Sequence, residues 1–303
     1  MPRPHSAAHP ARQDLYSRVT ASIIADLELG VRAWVKPWSA EHLAGRITRP
    51  LRSTGEPYKG VNVILLWCEA VSRGYVSPTW MTFRQALALG GHVRKGETGA
   101  TVVYADRLVR PETGDDGEDA TRSIPFLKAY TVFNVEQVEG LPARFHELAA
   151  PSLTPAQRVE HADAFFANLG GELRHGGDMA YYAVHQDLVQ VPPFECFQDP
   201  VSYYATLAHE FTHWTRHPTR LDRDFGRKRF GDEGYAREEL VAELGAAFLC
   251  ADLGLELTPR EDHAAYLGYW LAVLKAEPRF LFTAAAHAQK ACDYLVAKQP
   301  HND

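Results

Sequence analysis

The sequence predicts an α+β protein with two domains. A mixed N-terminal domain with a small antiparallel sheet is expected over residues 1–145, and a mostly helical C-terminal domain with its own small sheet over residues 150–303. Three observations lead there. Ala100 to Val109 and Ile124 to Phe133 are rich in β-branched and aromatic residues and read as paired strands. Past residue 150 the longest apolar patterns repeat at helical spacing. Finally, a chain of 303 residues with 46% hydrophobic content can bury more than one core, and a change of pattern at Leu141 to Pro151 marks the boundary.

The elements follow in order. Leu15, Val19, Ile23 and Leu27 recur at helical spacing with Gly30 just beyond, giving an opening amphipathic helix. An irregular basic stretch precedes Val61 to Val71, which is apolar enough to be a buried helix. Thr79 to Leu89 reads as a further helix closed by Gly90 and Gly91. Pro111 to Arg122 has no large apolar residue and reads as the loop of the strand hairpin. In the second domain Thr154, Pro155 and Gln157 form a capping box with proline at the first helical position, and Gly170 and Gly171 stop that helix. Tyr181 to Val184 and Leu188 to Val191 are short strands. Asp199 and Pro200 start a helix that ends by Pro218, and a second helix covers Ala236 to Leu253. Tyr266, Tyr269, Trp270, Val273 and Leu274 mark a core-facing helix, and Pro278 opens a last one to about Ala297.

Charge and cysteine usage narrow the class. The net charge is -6, but residues 1–110 carry 15 Lys or Arg against 8 Asp or Glu, so the acidic excess lies in the remainder. Polyanion binding therefore suits the first part and not the second. Cys68, Cys196, Cys250 and Cys292 are isolated, which argues against a disulfide frame or a thiolate zinc site and makes them reduced core residues. No run approaches the roughly 18 apolar residues of a membrane span, and the N-terminus has no signal-like apolar region. A cytoplasmic location with no membrane partner is expected.

The chemistry is concentrated in His209, Glu210, Phe211, Thr212 and His213. On a helix, positions i and i+4 share a face, so both imidazoles can hold one metal ion while Glu210 acts as general base on water beside it. Zinc is the expected ion, with other divalent metals acceptable. A tetrahedral catalytic site needs a third protein ligand. His217 is unsuitable, because eight helical residues place it about 12 Å from His209. Glu238, Glu239 and Glu243 stand in an otherwise apolar run, where a carboxylate is costly unless paired or bound to metal. Glu239 is expected as ligand and Glu243, one turn on, as the carboxylate that accepts the distal N–H of a ligating histidine. Glu238 is the alternative ligand; if Glu239 faces the metal, Glu238 turns towards solvent.

The basic N-terminal part interleaves aromatics and cations, as single-stranded nucleic acid binding requires. Lys36, Trp38, Arg46, Arg49, Arg52, Tyr58, Lys59, Arg94 and Lys95 are the candidate contacts, whereas Trp67 and Trp80 lie in apolar runs and belong to the core.

Several segments resemble one family. P-Y-K-G-V-N (57–62), S-P-T-W-M-T-F-R-Q-A (77–86), L-G-G-H-V-R-K-G-E (89–97) and Y-T-V-F-N-V-E-Q (130–137) resemble the N-terminal domain of ArdC-type antirestriction proteins, a domain also related to TraC-type plasmid primases. H-E-F-T-H-W-T (209–215), R-L-D-R (220–223), E-E-L-V-A-E-L (238–244) and A-A-A-H-A-Q-K-A (284–291) resemble the zincin-like metallopeptidase domain of the same family. The resemblance implies single-stranded DNA binding joined to a zinc peptidase-like site, protecting incoming plasmid DNA from host restriction, with host restriction proteins as potential substrates. It carries His209 and His213 over as ligands and Glu210 as general base. The competing reading is a non-catalytic protein that coats single strands and uses its metal structurally. A nuclease is disfavoured, because no cluster of aspartates suits a two-metal site.

Overall fold

A computed structural model describes residues 14–29, 48–113, 119–146, 154–226, 232–255 and 263–300. The first helix, α1 (Leu15–Glu28), is capped by Asp14, whose side chain accepts from Ser17 N, and it buries Val19, Ile23 and Leu27. Strand β1 (Leu51–Arg52) precedes α2 (Val61–Arg73), which ends on Gly74 in the left-handed region. Then come β2 (Thr79–Thr82), α3 (Phe83–Ala88), β3 (His92–Val93), β4 (Ala100–Thr113), β5 (Asp119–Asn134) and β6 (Val138–Glu139). The main sheet runs β1-β2-β5-β4, with β1 and β2 parallel and the rest antiparallel, and β3 pairs with β6. The outer edge of β4 is closed by Asn62 of α2, whose amide donates to Val103 O and accepts from Val103 N, each at 2.8 Å.

Two sequence readings change here. Thr79 to Leu89 is a strand followed by a helix. Trp80 and Met81 are both buried in the sheet, and Thr82 and Gln85 then close a capping box that starts α3. Pro111 to Arg122 is largely ladder, since pairing continues to Thr113 opposite Asp119. Strand pairing is a matter of backbone register, so the lack of large apolar residues did not end it.

The C-terminal half has α4 (Pro155–Ala167) on its Thr154–Gln157 capping box, then β7 (Glu172–His175), β8 (Tyr181–Ala183) and β9 (Leu188–Val191) in the order β7-β9-β8. Helices α5 (Pro200–Trp214), α6 (Glu233–Leu253), α7 (His263–Ala276) and α8 (Phe280–Val296) complete it. Trp270, Val273 and Leu274 of α7 are buried, but Tyr269 is exposed, and Cys196 is exposed rather than core. One apolar core joins the two halves, with Trp67 of α2 edge-on to Phe248 of α6 at 5.9 Å between ring centres. Among the described residues, no helix is long and apolar enough to cross a membrane.

Candidate metal centre

Helix α5 starts cleanly because Asp199 accepts from Ser202 N at 2.8 Å and Pro200 fills the first turn. From Tyr203 to Trp214 every residue is buried, so the two histidines and the glutamate between them lie inside the protein. Close approach of α6 makes the site. A Cβ at Gly245 would lie 2.5 Å from Thr212 Cγ2, so only glycine allows this crossing. It sets Glu239 and Glu243, one turn apart on α6, beside His209.

His209 Nε2 and His213 Nε2 are 3.2 Å apart. Glu239 Oε2 is 3.4 Å from the first and Glu239 Oε1 is 3.5 Å from the second. Ligand atoms around a tetrahedral ion with bonds of about 2.1 Å are themselves about 3.4 Å apart, so these three side chains fit one divalent cation with a position left over. His209 Nδ1 is buried without a hydrogen bond among the described residues, and Glu243 Oε2 stands 3.8 Å from it, where a small shift would let it accept that N–H.

Glu238 has a role that the sequence reading missed. It does not turn to solvent but is 1% exposed, with Oε1 3.0 Å from His213 Nδ1. Successive helix residues are about 100° apart, so Glu238 and Glu239 reach opposite edges of the same imidazole. Arg223, also buried, donates to both Glu238 oxygens at 2.8 and 2.7 Å, and to Thr212 O and Thr215 Oγ1 at the end of α5. The signal for Arg223 was present in the R-L-D-R segment, but nothing local in the sequence pairs it with a residue fifteen positions on.

The electrostatics match the geometry. Burial disfavours the charged form of His213, yet the Glu239 charge and the bonds to Glu238 and Glu239 prevail and push its pKa up to about 10. Burial likewise opposes the charge on Glu238, but the bonds from Arg223 and His213 lower it to about 2. Glu239 is held far below the usual carboxylate range, its burial outweighed by the charge of His213 and the bond from His209. The pocket is therefore built for positive charge. Glu210 is 4% exposed and forms no hydrogen bond or ion pair with any described residue. His217 lies in the turn after α5, 2.8 Å from Thr219 Oγ1.

A second network ties the small sheet to α5. Arg220 stacks on Trp214, 3.9 Å from the ring centre, donates to Trp214 O at 2.7 Å, and grips both oxygens of Asp187, which also accepts from Tyr182 Oη at 2.8 Å.

The candidate nucleic-acid contacts scatter. Lys36, Trp38 and Arg46 lie outside the described residues. Arg49 is not a surface contact: it is 5% exposed, bonded to both oxygens of Asp252 at 2.7 Å and to Gln289 at 2.6 Å, clamping the first half to α6 and α8. Tyr58 is also buried, under the Arg52 guanidinium, and so presents no face to a base. Arg94 is paired with Glu97 at 2.6 Å, and Lys59 stands 3.4 Å from Asp293. Arg52 and Lys95 are exposed.

Comparison with known proteins agrees with this architecture. Residues 13–133 match a family model described as the N-terminal domain of anti-restriction factor ArdC, and residues 160–287 one described as a zincin-like metallopeptidase. Protein y4eC of Sinorhizobium fredii (strain NBRC 101917 / NGR234) is 42% identical over 291 residues, covering 94% of this chain and 92% of that protein. DNA primase TraC of Escherichia coli is 35% identical over 301 residues, but this chain spans only 27% of its length. The metal-free crystal structure of the antirestriction ArdC protein from the R388 plasmid is 45% identical, with a TM-score of 0.78 over 94% of this chain and 97% of that one. Its Mn(II)-bound structure is 43% identical, with a TM-score of 0.78 over 96% and 100%.

Proposed function

Starting from the finding that the chain belongs to the ArdC family of antirestriction proteins, with an ArdC N-terminal domain and a zincin-like domain, we propose that it binds single-stranded DNA and carries a metal-dependent peptidase site that protects incoming plasmid DNA from host restriction. His209, His213 and Glu239 would hold one divalent ion, zinc or manganese, and the Mn(II)-bound relative supports an ion of this charge. When bound, such an ion supplies the Lewis acidity that polarises a peptide carbonyl and makes water more acidic.

The chain's own residues supply the rest. Glu238, fixed by Arg223, orients His213; Glu243 stands behind His209. Glu210 is the observation that carries the catalytic reading. It follows His209 directly on the helix that carries both histidines, and no described residue holds its carboxylate in a hydrogen bond or ion pair. Left open, it can take a proton from water and deliver it to the leaving amine.

The test is incubation of the metal-loaded protein with host restriction subunits, wild type beside Glu210→Gln. Cleavage by wild type and none by the variant supports the peptidase. Equal outcomes, including no cleavage by either, overturn it and leave the strand-coating reading, in which protection survives Glu210→Gln.

A further inference from the structure

The N-terminal half holds an open groove of about 750 Å³, within the ~300–1,000 Å³ range of ligand sites. It lies between the turn at Ser53, Thr54 and Gly55, the start of β2, the end of α3, and the short helical turn at Ala143–Phe145. Arg52 and Arg144 enter it from separate elements, and none of its described lining residues is acidic. Each guanidinium rests on an aromatic ring, Arg52 at 5.3 Å from the centre of Tyr58 and Arg144 at 4.9 Å from that of Phe145. Stacking of this kind fixes a long side chain while leaving its N–H fork for an anion.

We propose that this groove is the track for single-stranded DNA, with Arg52 and Arg144 each holding a phosphate. The inference rests on the proposed single-strand binding and gives it a location. A lone phosphate would be better served by donors converging from one loop, whereas two cations on separate elements suit a repeating phosphodiester. Of the described contacts expected from sequence, only Arg52 lies here. Arg144 was not among them, because it follows the strands in a stretch that reads as a domain boundary.

The test is fluorescence anisotropy of a labelled oligothymidylate across a salt series, using full-length wild type, Arg52→Ala/Arg144→Ala, Arg52→Lys/Arg144→Lys, and Arg174→Ala as a control on the other half. Unchanged thermal unfolding shows that each variant is folded. The double alanine variant should bind more weakly, with a salt slope shallower by about 0.7 per lost contact. The lysine variant should keep the slope. Wild type that binds while the double alanine variant keeps its affinity and slope overturns the groove and leaves single-strand binding standing. Wild type that fails to bind overturns single-strand binding itself, and the groove with it.

Discussion

Thr212 of α5 fills the space that a side chain at Gly245 of α6 would need; a Cβ there would meet Thr212 Cγ2 at 2.5 Å and Oγ1 at 2.7 Å. Thr212 is the residue before His213, and Gly245 comes two after Glu243. The contact that sets the helix crossing therefore also sets how far the α6 carboxylates stand from the histidines.

Gly245→Ala should force the helices apart. Overpacking of this kind costs about 1–3 kcal/mol, and the same displacement should weaken metal binding. Because the clash is with one side chain, Thr212→Ala on the Gly245→Ala background should restore much of both. Urea unfolding of the four members of this cycle measures the coupling; additive effects would place the strain elsewhere.

Glu238 and Arg223 act as a unit. Loss of an outer carboxylate typically lowers metal affinity about 10- to 100-fold, and Glu238→Gln should do so with the fold intact. Arg223→Met breaks this buried ion pair and leaves the Glu238 carboxylate only its bond to His213, so it should cost about 3–5 kcal/mol of stability. Calorimetric metal titration and chemical unfolding separate the two effects. Glu238→Gln with undiminished affinity would deny Glu238 its orienting role.

Much of this centre was legible in the sequence. The Asp199 cap and Pro200 placed the H-E-x-x-H segment on a helix, and one-turn spacing picked out Glu239 and Glu243. What escaped was set by tertiary contact. Whether Glu238 faces solvent or His213 depends on the crossing of α5 and α6, which Gly245 permits but no local pattern reveals. Arg49 and Arg94 both read as candidate nucleic-acid contacts, yet one is buried against Asp252 and the other is paired three residues on. Thr79 to Thr82 carries two adjacent buried residues that suit a helix face as well as a strand between two layers, and only pairing with β5 decides.

Asp187 gives a dependence on pH. Bonds from Arg220 hold its carboxyl below the usual range, with partial burial opposing and a bond from Tyr182 adding to the effect. A depressed pKa in the folded state stabilises above the unfolded value of about 3.9, and that contribution is lost as pH falls through the folded value. Asp187→Asn should therefore be less stable than wild type at neutral pH, with the gap closing in acid. Asparagine tolerates the positive φ of 51° at this position, so the backbone is not the cause. Urea unfolding at a series of pH values checks it; a gap constant with pH would mean that the ion pair contributes nothing.

The account turns on Glu239 completing a site with His209 and His213. Equilibrium titration of the purified protein with zinc and with manganese tests this most directly, comparing wild type, Glu239→Gln and Glu210→Gln. One ion per chain in wild type and in Glu210→Gln, with affinity lost in Glu239→Gln, is the expected result. A wild-type protein that binds no ion, or a Glu239→Gln variant that binds as tightly as wild type, would contradict it.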